Sequence, residues 1–200
     1  MRRLGVWTVA ATLGAVVVTG CGSTENPSPI DTFTLPTDTP TAPITPLDPV
    51  PIDFRSVTGP GFTLAVPSAW EATQPTSSSG EPSYFFEDST QPAGKPVAAL
   101  VVKQAPSDSG AFEQSTLLVT SLRDFGATEI NRSEIDWPKA EHAVLVDWNE
   151  TPGGASEPQH RRQLFLEDSA GGLISVVVAA PKDTYASTPL DDVLASLAFS

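Results

Sequence analysis

The stretch Gly61-Phe62-Thr63-Leu64-Ala65-Val66-Pro67-Ser68-Ala69-Trp70 decides the fold. Its apolar residues alternate, so that Phe62, Leu64 and Val66 share one face of an extended chain, and the run stops at Pro67. A period of two predicts a strand that is buried on one side. We therefore expect a half-buried strand here, with the closing tryptophan in the turn that follows.

Further strand-like runs lie on both sides of one helical segment. Val97 to Lys103 is almost continuously apolar, which predicts a strand covered on both faces. Leu173 to Ala180 is the most apolar run, and we place it in the centre of the sheet. The other predicted strands are Tyr84 to Glu87, Ala127 to Ile135, Ala143 to Trp148 and His160 to Glu167.

Ala111 to Phe125 has a helical period. Ala111, Leu118, Leu122 and Phe125 fall on one stripe, which we expect to be buried. Asp108 or Ser109 is a suitable N-cap, and Gly126 suits the left-handed residue beyond the helix end.

A second helix is predicted at the C-terminal end, with Thr188 as N-cap and Pro189 in the first helical position. Its buried stripe consists of Leu190, Val193, Leu194 and Leu197. The predicted order is βββ-α-ββββ-α, with short turns between strands. Such an order indicates an α+β fold, an antiparallel sheet with flanking helices.

The N-terminal segment has the layout of a bacterial leader. Arg2 and Arg3 precede an apolar run of about 15 residues, too short to span a bilayer as a helix. The run ends in Val18-Thr19-Gly20-Cys21, which resembles the bacterial lipobox. The resemblance implies that residues 1–20 are a signal peptide and that Cys21 is diacylated, which would anchor the chain to the extracytoplasmic face of the cell membrane. A retained membrane anchor, a plain secretory signal and a twin-arginine signal remain as alternatives.

Residues 22 to about 51 are rich in Pro, Thr, Ser and Asp and contain no Lys or Arg. Such a segment buries too little apolar surface to offset its ordering entropy. We interpret residues 21–51 as the lipidated cysteine followed by a disordered, Pro/Thr-rich stalk, with O-linked sugar as a hypothesis for the threonines. Residues 52–200 are then a single domain of ordinary size.

Composition excludes several classes of function. Without Arg2 and Arg3, the chain has 9 Lys+Arg against 24 Asp+Glu, a net charge of −15. A surface this acidic repels nucleic-acid phosphates. Cys21 is the only cysteine, so after its acylation a disulfide, a thiol nucleophile and a cysteine zinc site are excluded.

The pattern Gly-aromatic-x-aliphatic-x-aliphatic-Pro-x-x-Trp at 61–70 resembles the opening strand of Mog1/PsbP-like domains. With the lipobox and the stalk, the mature chain resembles the LpqN family of actinobacterial lipoproteins. The resemblance implies an α/β/α sandwich and a non-catalytic, accessory role in the cell envelope. The implied partners are envelope proteins, including lipid-export machinery of a mycolate-rich envelope. The motif is structural, so it transfers no catalytic residue.

The residues themselves predict no catalytic site, no metal site and no cofactor. Neither Gly-x-Ser-x-Gly nor Ser-x-x-Lys occurs, and nothing near His142 supplies three ligands at metal-binding spacing. Arg161 and Arg162 are a basic spot in an acidic chain, a candidate contact for an anion or a partner. The alternative for this spot is a solvated strand face paired with carboxylates.

A second hypothesis is a carrier of lipid or of a small molecule. A sheet covered by helices is able to open an apolar pocket between its layers. The candidate lining residues are Leu118, Leu122, Phe125, Leu194 and Leu197; the alternative is that they form plain core.

Overall fold

The structure, a computed structural model, describes residues 43–73, 83–92, 95–104, 109–153 and 157–200. The predicted leader, Cys21 and the stalk up to residue 42 lie outside the described residues. Within the described residues, no helix has both the length and the apolar character needed to cross a membrane.

Two antiparallel sheets form the fold, which confirms the α+β prediction. The larger sheet has seven strands in the order β3-β4-β5-β9-β8-β7-β6, and the smaller has the order β1-β2-β10. The strands are β1 Phe54–Gly59, β2 Phe62–Pro67, β3 Glu71–Thr73, β4 Ser83–Glu87, β5 Ala98–Gln104, β6 Thr128–Glu134, β7 His142–Glu150, β8 Gln159–Glu167, β9 Leu173–Pro181 and β10 Ala198–Phe199. The helices are α1 Ala111–Asp124 and α2 Leu190–Ala195, with a 3-10 helix at Tyr185–Ser187.

The seven-stranded sheet separates two apolar clusters. On one face, the small sheet and α2 pack against β5, β8 and β9 and form the larger cluster. On the other face, α1 packs on β6, β7 and β8 around the smaller cluster, which includes Trp148. As predicted, β9 is the central strand, because its apolar side chains serve both clusters.

The Gly-Phe pair of the opening motif is explained by the turn between β1 and β2. Gly61 has φ +79°, a conformation that side chains disfavour. Phe62 is fully buried and meets Tyr84 edge-on, with ring centroids 5.4 Å apart. A Cβ on Gly59 would overlap the Phe62 ring. The predicted strand is therefore confirmed as β2. It pairs with β1 through a hairpin in which the Phe62 ring packs against the backbone of Gly59.

The buried stripe of α1 differs from the predicted one. It consists of Ala111, Ser115, Val119 and Leu122, whereas Leu118 is half-buried and Phe125 is 86% exposed. The helix ends at Asp124, so Phe125 leaves the helical period and lies on the surface. The N-cap is Gly110, where Ser109 was one predicted alternative and Asp108 lies outside the described residues.

The C-terminal segment corrects a second helix boundary and adds a strand. α2 begins one residue later than predicted, because Thr188 Oγ1 donates a hydrogen bond to the Tyr185 carbonyl (2.7 Å) and does not cap α2. After α2 the chain forms β10, which pairs with β2. Strands β1, β3 and β10 are not in the predicted order; β3 has three exposed residues and so gives no apolar signal.

The domain also begins earlier than residue 52. Ile44 is 7% exposed and belongs to the larger cluster, against which Leu47 packs. The Leu47 amide donates a hydrogen bond to the Ala195 carbonyl (2.8 Å). The last part of the predicted stalk is thus packed domain, because its two aliphatic residues find an apolar surface beside α2.

Candidate functional site

A cluster of buried polar side chains interrupts the apolar face that the large sheet shares with α2. Asp147 and Asn149 continue the inward positions of β7 beyond Leu145, and Arg162 lies across from them on β8. All three polar residues are less than 5% exposed. Burial of polar groups is costly unless they are hydrogen-bonded. We therefore take this cluster, together with its hydrogen-bond partners, as the first candidate site.

One chain of hydrogen bonds runs across β6, β7 and β8. Asn149 Nδ2 donates to Glu129 Oε2 (2.5 Å), and Asn149 Oδ1 lies 2.9 Å from His160 Nδ1. Glu129 also accepts a hydrogen bond from Lys182 Nζ (2.6 Å), which lowers the pKa of its carboxyl. Because the amide oxygen of Asn149 is an acceptor, a hydrogen bond between these two atoms requires the proton on Nδ1 of His160.

A second set of contacts attaches the C-terminal segment to β8. Arg162 Nη1 lies 2.9 Å from Asp191 Oδ2, and Tyr185 Oη donates a hydrogen bond to Asp191 Oδ1 (2.9 Å). The Tyr185 ring meets His160 edge-on, with centroids 4.4 Å apart. Burial, more than the nearby carboxylates, raises the pKa of Tyr185. Desolvation has the opposite effect on His160: it lowers the pKa of the imidazole and so favours the neutral ring.

The chemistry of this network is limited by what surrounds the imidazole. Within the described ranges, no serine, threonine or tyrosine hydroxyl is hydrogen-bonded to His160, and the Tyr185 hydroxyl is directed to Asp191. A base of this kind needs a nucleophile or a substrate proton within hydrogen-bonding reach. The arrangement instead ties the 3-10 helix and α2 to the sheet.

The predicted basic spot does not form a common site. Arg161 and Arg162 are neighbours on β8, so their side chains project to opposite faces of the sheet. Arg161 Nη2 lies 3.1 Å from Glu150 Oε1, whereas Arg162 pairs with Asp191. Both guanidinium groups are paired with carboxylates, as the alternative interpretation expected, but Arg162 is buried and does not lie on a solvated strand face. The two guanidinium groups are therefore unable to hold one anion together.

The five predicted lining residues do not meet in one cavity. Leu118 and Leu122 lie in the smaller cluster beneath α1, while Leu194 and Leu197 are buried in the larger cluster across the sheet. Phe125 faces solvent. The prediction placed both helices over one pocket; the helices instead lie over opposite faces, and the sheet separates them.

Two shallow depressions lie beside the connection between β6 and β7, with volumes of about 240 and 380 Å³. They share Ile135, Asp136, Glu141 and Ala143, and the smaller one also contains His142. Across the described part of the chain, no three His, Cys, Asp or Glu side chains are grouped as a metal ion would require. Trp137 borders the larger depression, but its indole is buried and donates to the Leu197 carbonyl (3.0 Å).

The outward surface of α1 is the second candidate site. We name it the α1 outer face and define it by eight exposed residues. The five that are apolar or carry a hydroxyl are Phe112, Thr116, Leu117, Thr120 and Ser121. The three charged residues are Glu113, Arg123 and Asp124. Its net charge is only −1, in a chain of net charge −13.

Local hydrogen bonds make this face less polar than its sequence suggests. The hydroxyls of Thr116, Thr120 and Ser121 donate to carbonyls one turn earlier in α1, at 2.8, 3.0 and 3.0 Å. Phe112 is 46% exposed and Leu117 59% exposed. Arg132 from β6 stacks over the Phe112 ring at 4.1 Å, which fixes that end of the face.

Sequence reasoning named only Arg162 from the first candidate site and no residue of the second, although each site leaves a trace in the sequence. Asp147 and Asn149 occupy positions that continue the buried alternation of β7, so polar residues at inward positions were the signal for the network. For the α1 outer face the signal was the small number of charged residues in the helix, which are Glu113, Arg123 and Asp124.

The chain is similar to several solved structures. No protein-family model matches the chain, and no curated protein sequence matches it significantly. Among solved structures, LpqN of Mycobacterium tuberculosis, described as involved in cell envelope biogenesis, is similar with a TM-score of 0.46 and 15% identity, covering 74% of this chain and 90% of that one. A Pseudomonas aeruginosa protein of unknown function, PA94, gives a TM-score of 0.43 and 16% identity, covering 72% and 94%.

Proposed function

We propose that this protein is a lipoprotein anchored through Cys21 to the extracytoplasmic face of the membrane, where it acts as a non-catalytic accessory module that binds other proteins. The lipobox-like sequence that ends at Cys21 supports the anchor. Residues 61–70 resemble the opening strand of Mog1/PsbP-like domains, and together with the lipobox-like leader and the Pro/Thr-rich stalk they resemble the LpqN family of lipoproteins. This resemblance supports a role beside lipid-export machinery.

The α1 outer face is the observation that carries the binding part of the proposal. Interaction surfaces are depleted in charge at their centre, and exposed apolar residues grouped on one element are typical of them. Leu117, Thr120 and Ser121 form such an uncharged centre, with Phe112 at one end. The His160 network, by contrast, uses its polar groups to hold the fold.

The anchor is tested in the full chain expressed in a bacterium that acylates lipoproteins. Cells are labelled with an alkyne fatty acid, and the chain is isolated from membrane and soluble fractions. We expect the label and the membrane fraction to contain the native chain, and both to be lost in Cys21→Ala. A native chain that remains unlabelled contradicts the anchor.

The binding role is tested by placing a photo-reactive amino acid at Leu117 of the full chain in intact cells. The matched control has the same amino acid at Ser56, an exposed residue of β1. We expect discrete protein adducts from position 117, identified by mass spectrometry as envelope proteins or as this chain. The same adduct pattern from both positions, or none from either, contradicts a protein-binding α1 outer face.

A further inference from the structure

We infer that the loop before β1 inserts Val50 and Ile52 into the lipid surface to which Cys21 anchors the chain. We name this loop, residues 48–53, the entry loop. The inference rests on the proposed function, because it needs the anchor at Cys21. It goes further by naming a second membrane contact and the side of the domain that faces the bilayer.

The entry loop exposes apolar side chains that the core does not use. Ile52 is fully exposed and Val50 is 44% exposed, within the apolar run Pro49-Val50-Pro51-Ile52. In the part of the chain that the structure describes, the other large apolar side chains that are exposed belong to α1 or follow it directly. Apolar side chains grouped at one point of a surface are typical of a contact with a protein or a membrane.

Hydrogen bonds at both ends fix the entry loop to the domain. Before it, the Leu47 amide donates a hydrogen bond to the Ala195 carbonyl (2.8 Å). At its end, the Asp53 carbonyl accepts a hydrogen bond from the Ser68 amide (2.9 Å). The prolines at positions 49 and 51 also fix φ. The loop therefore loses little further backbone freedom on binding, so its ordering does not cancel the gain from burial of its side chains.

The position of the tether identifies the occupant as a lipid surface. The tether from Cys21 ends at Ile44, which is packed in the larger cluster. The entry loop begins four residues after Ile44, no more than about 14 Å further along the chain. The stretch from Cys21 to Ile44 reaches at most about 80 Å. An anchored chain therefore keeps this loop near the bilayer at a high effective concentration.

Two carboxylates limit how deeply the loop inserts. Asp48 and Asp53 flank the apolar run, and both are exposed. Because the transfer of a carboxylate into hydrocarbon is costly, Val50 and Ile52 reach only the boundary between headgroups and acyl chains. These two side chains together have fewer carbons than a myristoyl chain, which alone binds a protein to a membrane only marginally. We therefore expect the contact in the anchored chain and not in a chain without acyl groups.

The contact gives the anchored domain one orientation. The entry loop leads into β1 of the small sheet, and Leu47 before it is bonded to the last residue of α2. The small sheet and α2 cover one face of the large sheet, whereas α1 covers the other. The α1 outer face is therefore directed away from the bilayer, where it is open to other proteins of the envelope.

The experiment is photo-labelling of the full acylated chain in phosphatidylcholine vesicles that contain a lipid with a diazirine on its acyl chain. Phosphatidylcholine has no net charge, so the net charge of −13 on the chain does not oppose the contact. Mass spectrometry then locates the lipid adducts along the chain. We expect adducts on residues 48–53 and few on α1. The helix is an internal control, because it also has exposed apolar side chains and exposed carboxylates.

Substitution of both aliphatic residues tests their role. Val50→Ser/Ile52→Ser keeps the length and the carboxylates of the entry loop, and we expect about tenfold fewer adducts on residues 48–53. The matched control is Phe125→Ser, which removes an exposed apolar side chain next to α1 and should leave the labelling of the loop unchanged. Circular dichroism confirms that each variant is folded.

Loss of the loop adducts in the double variant, with an unchanged pattern in Phe125→Ser, supports the inference. If the anchored native chain has no adducts on residues 48–53, has as many on α1, or is labelled like the double variant, the inference is overturned and the proposed anchor stands. A native chain that has no acyl groups and remains in solution contradicts the anchor itself, and the inference fails with it.

Discussion

Gly110 starts α1 against a carboxylate that belongs to a distant strand. Glu167 Oε2 accepts a hydrogen bond from the Ala111 amide (2.8 Å), and a Cβ on Gly110 would overlap that carboxylate. We expect Gly110→Ala to displace Glu167 and to lower the free energy of unfolding by about 1–2 kcal/mol, the usual cost of a lost cap. Urea unfolding measures it. Gly153→Ala is the matched control, since a Cβ there meets no atom within 4 Å; equal losses in the two variants would contradict the cap.

Ser196 continues the pairing of β2 beyond the two residues that β10 covers. Its Oγ accepts a hydrogen bond from the buried Ala65 amide (2.8 Å) and lies 2.7 Å from the Val193 carbonyl. Ser196→Ala leaves the Ala65 amide without this acceptor, so we expect a loss of about 1–3 kcal/mol in thermal or urea unfolding. Ser121→Ala, which removes an exposed hydroxyl on α1, should change stability by less than about 0.5 kcal/mol. An unchanged stability in Ser196→Ala would show that water replaces the hydroxyl.

At the scale of elements, the 3-10 helix packs on β8 through the contact of Tyr185 with His160, a histidine whose pKa is lowered in the folded chain. Desolvation lowers the pKa of His160, so the unfolded chain binds its proton more readily than the folded chain. By linkage, the stabilisation from neutral His160 is present above about pH 6.5 and is lost as the pH falls through the folded pKa. The charged and titratable groups around the ring are Glu129, Asp147, Arg162, Lys182, Tyr185 and Asp191.

We therefore expect the melting temperature of the native chain to fall more between pH 7.5 and pH 5 than that of His160→Gln, which keeps a polar side chain without a titration. The chain has two histidines, and the other provides the control: His142 is exposed at the start of β7. His142→Gln should follow the native pH profile. A native profile in His160→Gln as well would assign the pH dependence to carboxylates alone.

Elements with a clear apolar period were predictable, and those without one were not. The sequence places β2, β7, β8 and β9 correctly within about two residues, because alternation or continuous apolar character reports burial directly. Strand β3 has no buried residue, and β10 is two residues long, so each owes its existence to its pairing partner. Phe125 shows the same limit: a helical period continued past the residue where the helix ends.

At the scale of the whole molecule, the candidate sites depended on which face of the sheet each helix covers, and periodicity does not contain that information. Leu122 and Leu194 are both buried, as their stripes predict, yet they lie in different clusters. The distribution of charge, in contrast, can be taken from the sequence without knowing which face of the sheet a helix covers. The near neutrality of α1 within an acidic chain is visible in the sequence, and the structure adds only that its charged residues face outward.

The residue at which the packed domain begins can be tested with two isoleucines. Ile44 is 7% exposed within the larger cluster, whereas Ile52 is fully exposed at the residue where the domain was expected to begin. We expect Ile44→Ala to lower the free energy of unfolding by about 2–4 kcal/mol, because it leaves a cavity in the larger cluster. Ile52→Ala should be neutral within about 0.5 kcal/mol.

Urea unfolding of both variants decides between two arrangements. A large loss only in Ile44→Ala means that the chain is fixed to the domain at residue 44, so the proposed tether from Cys21 would be at most 23 residues long; equal small effects would return the boundary to residue 52.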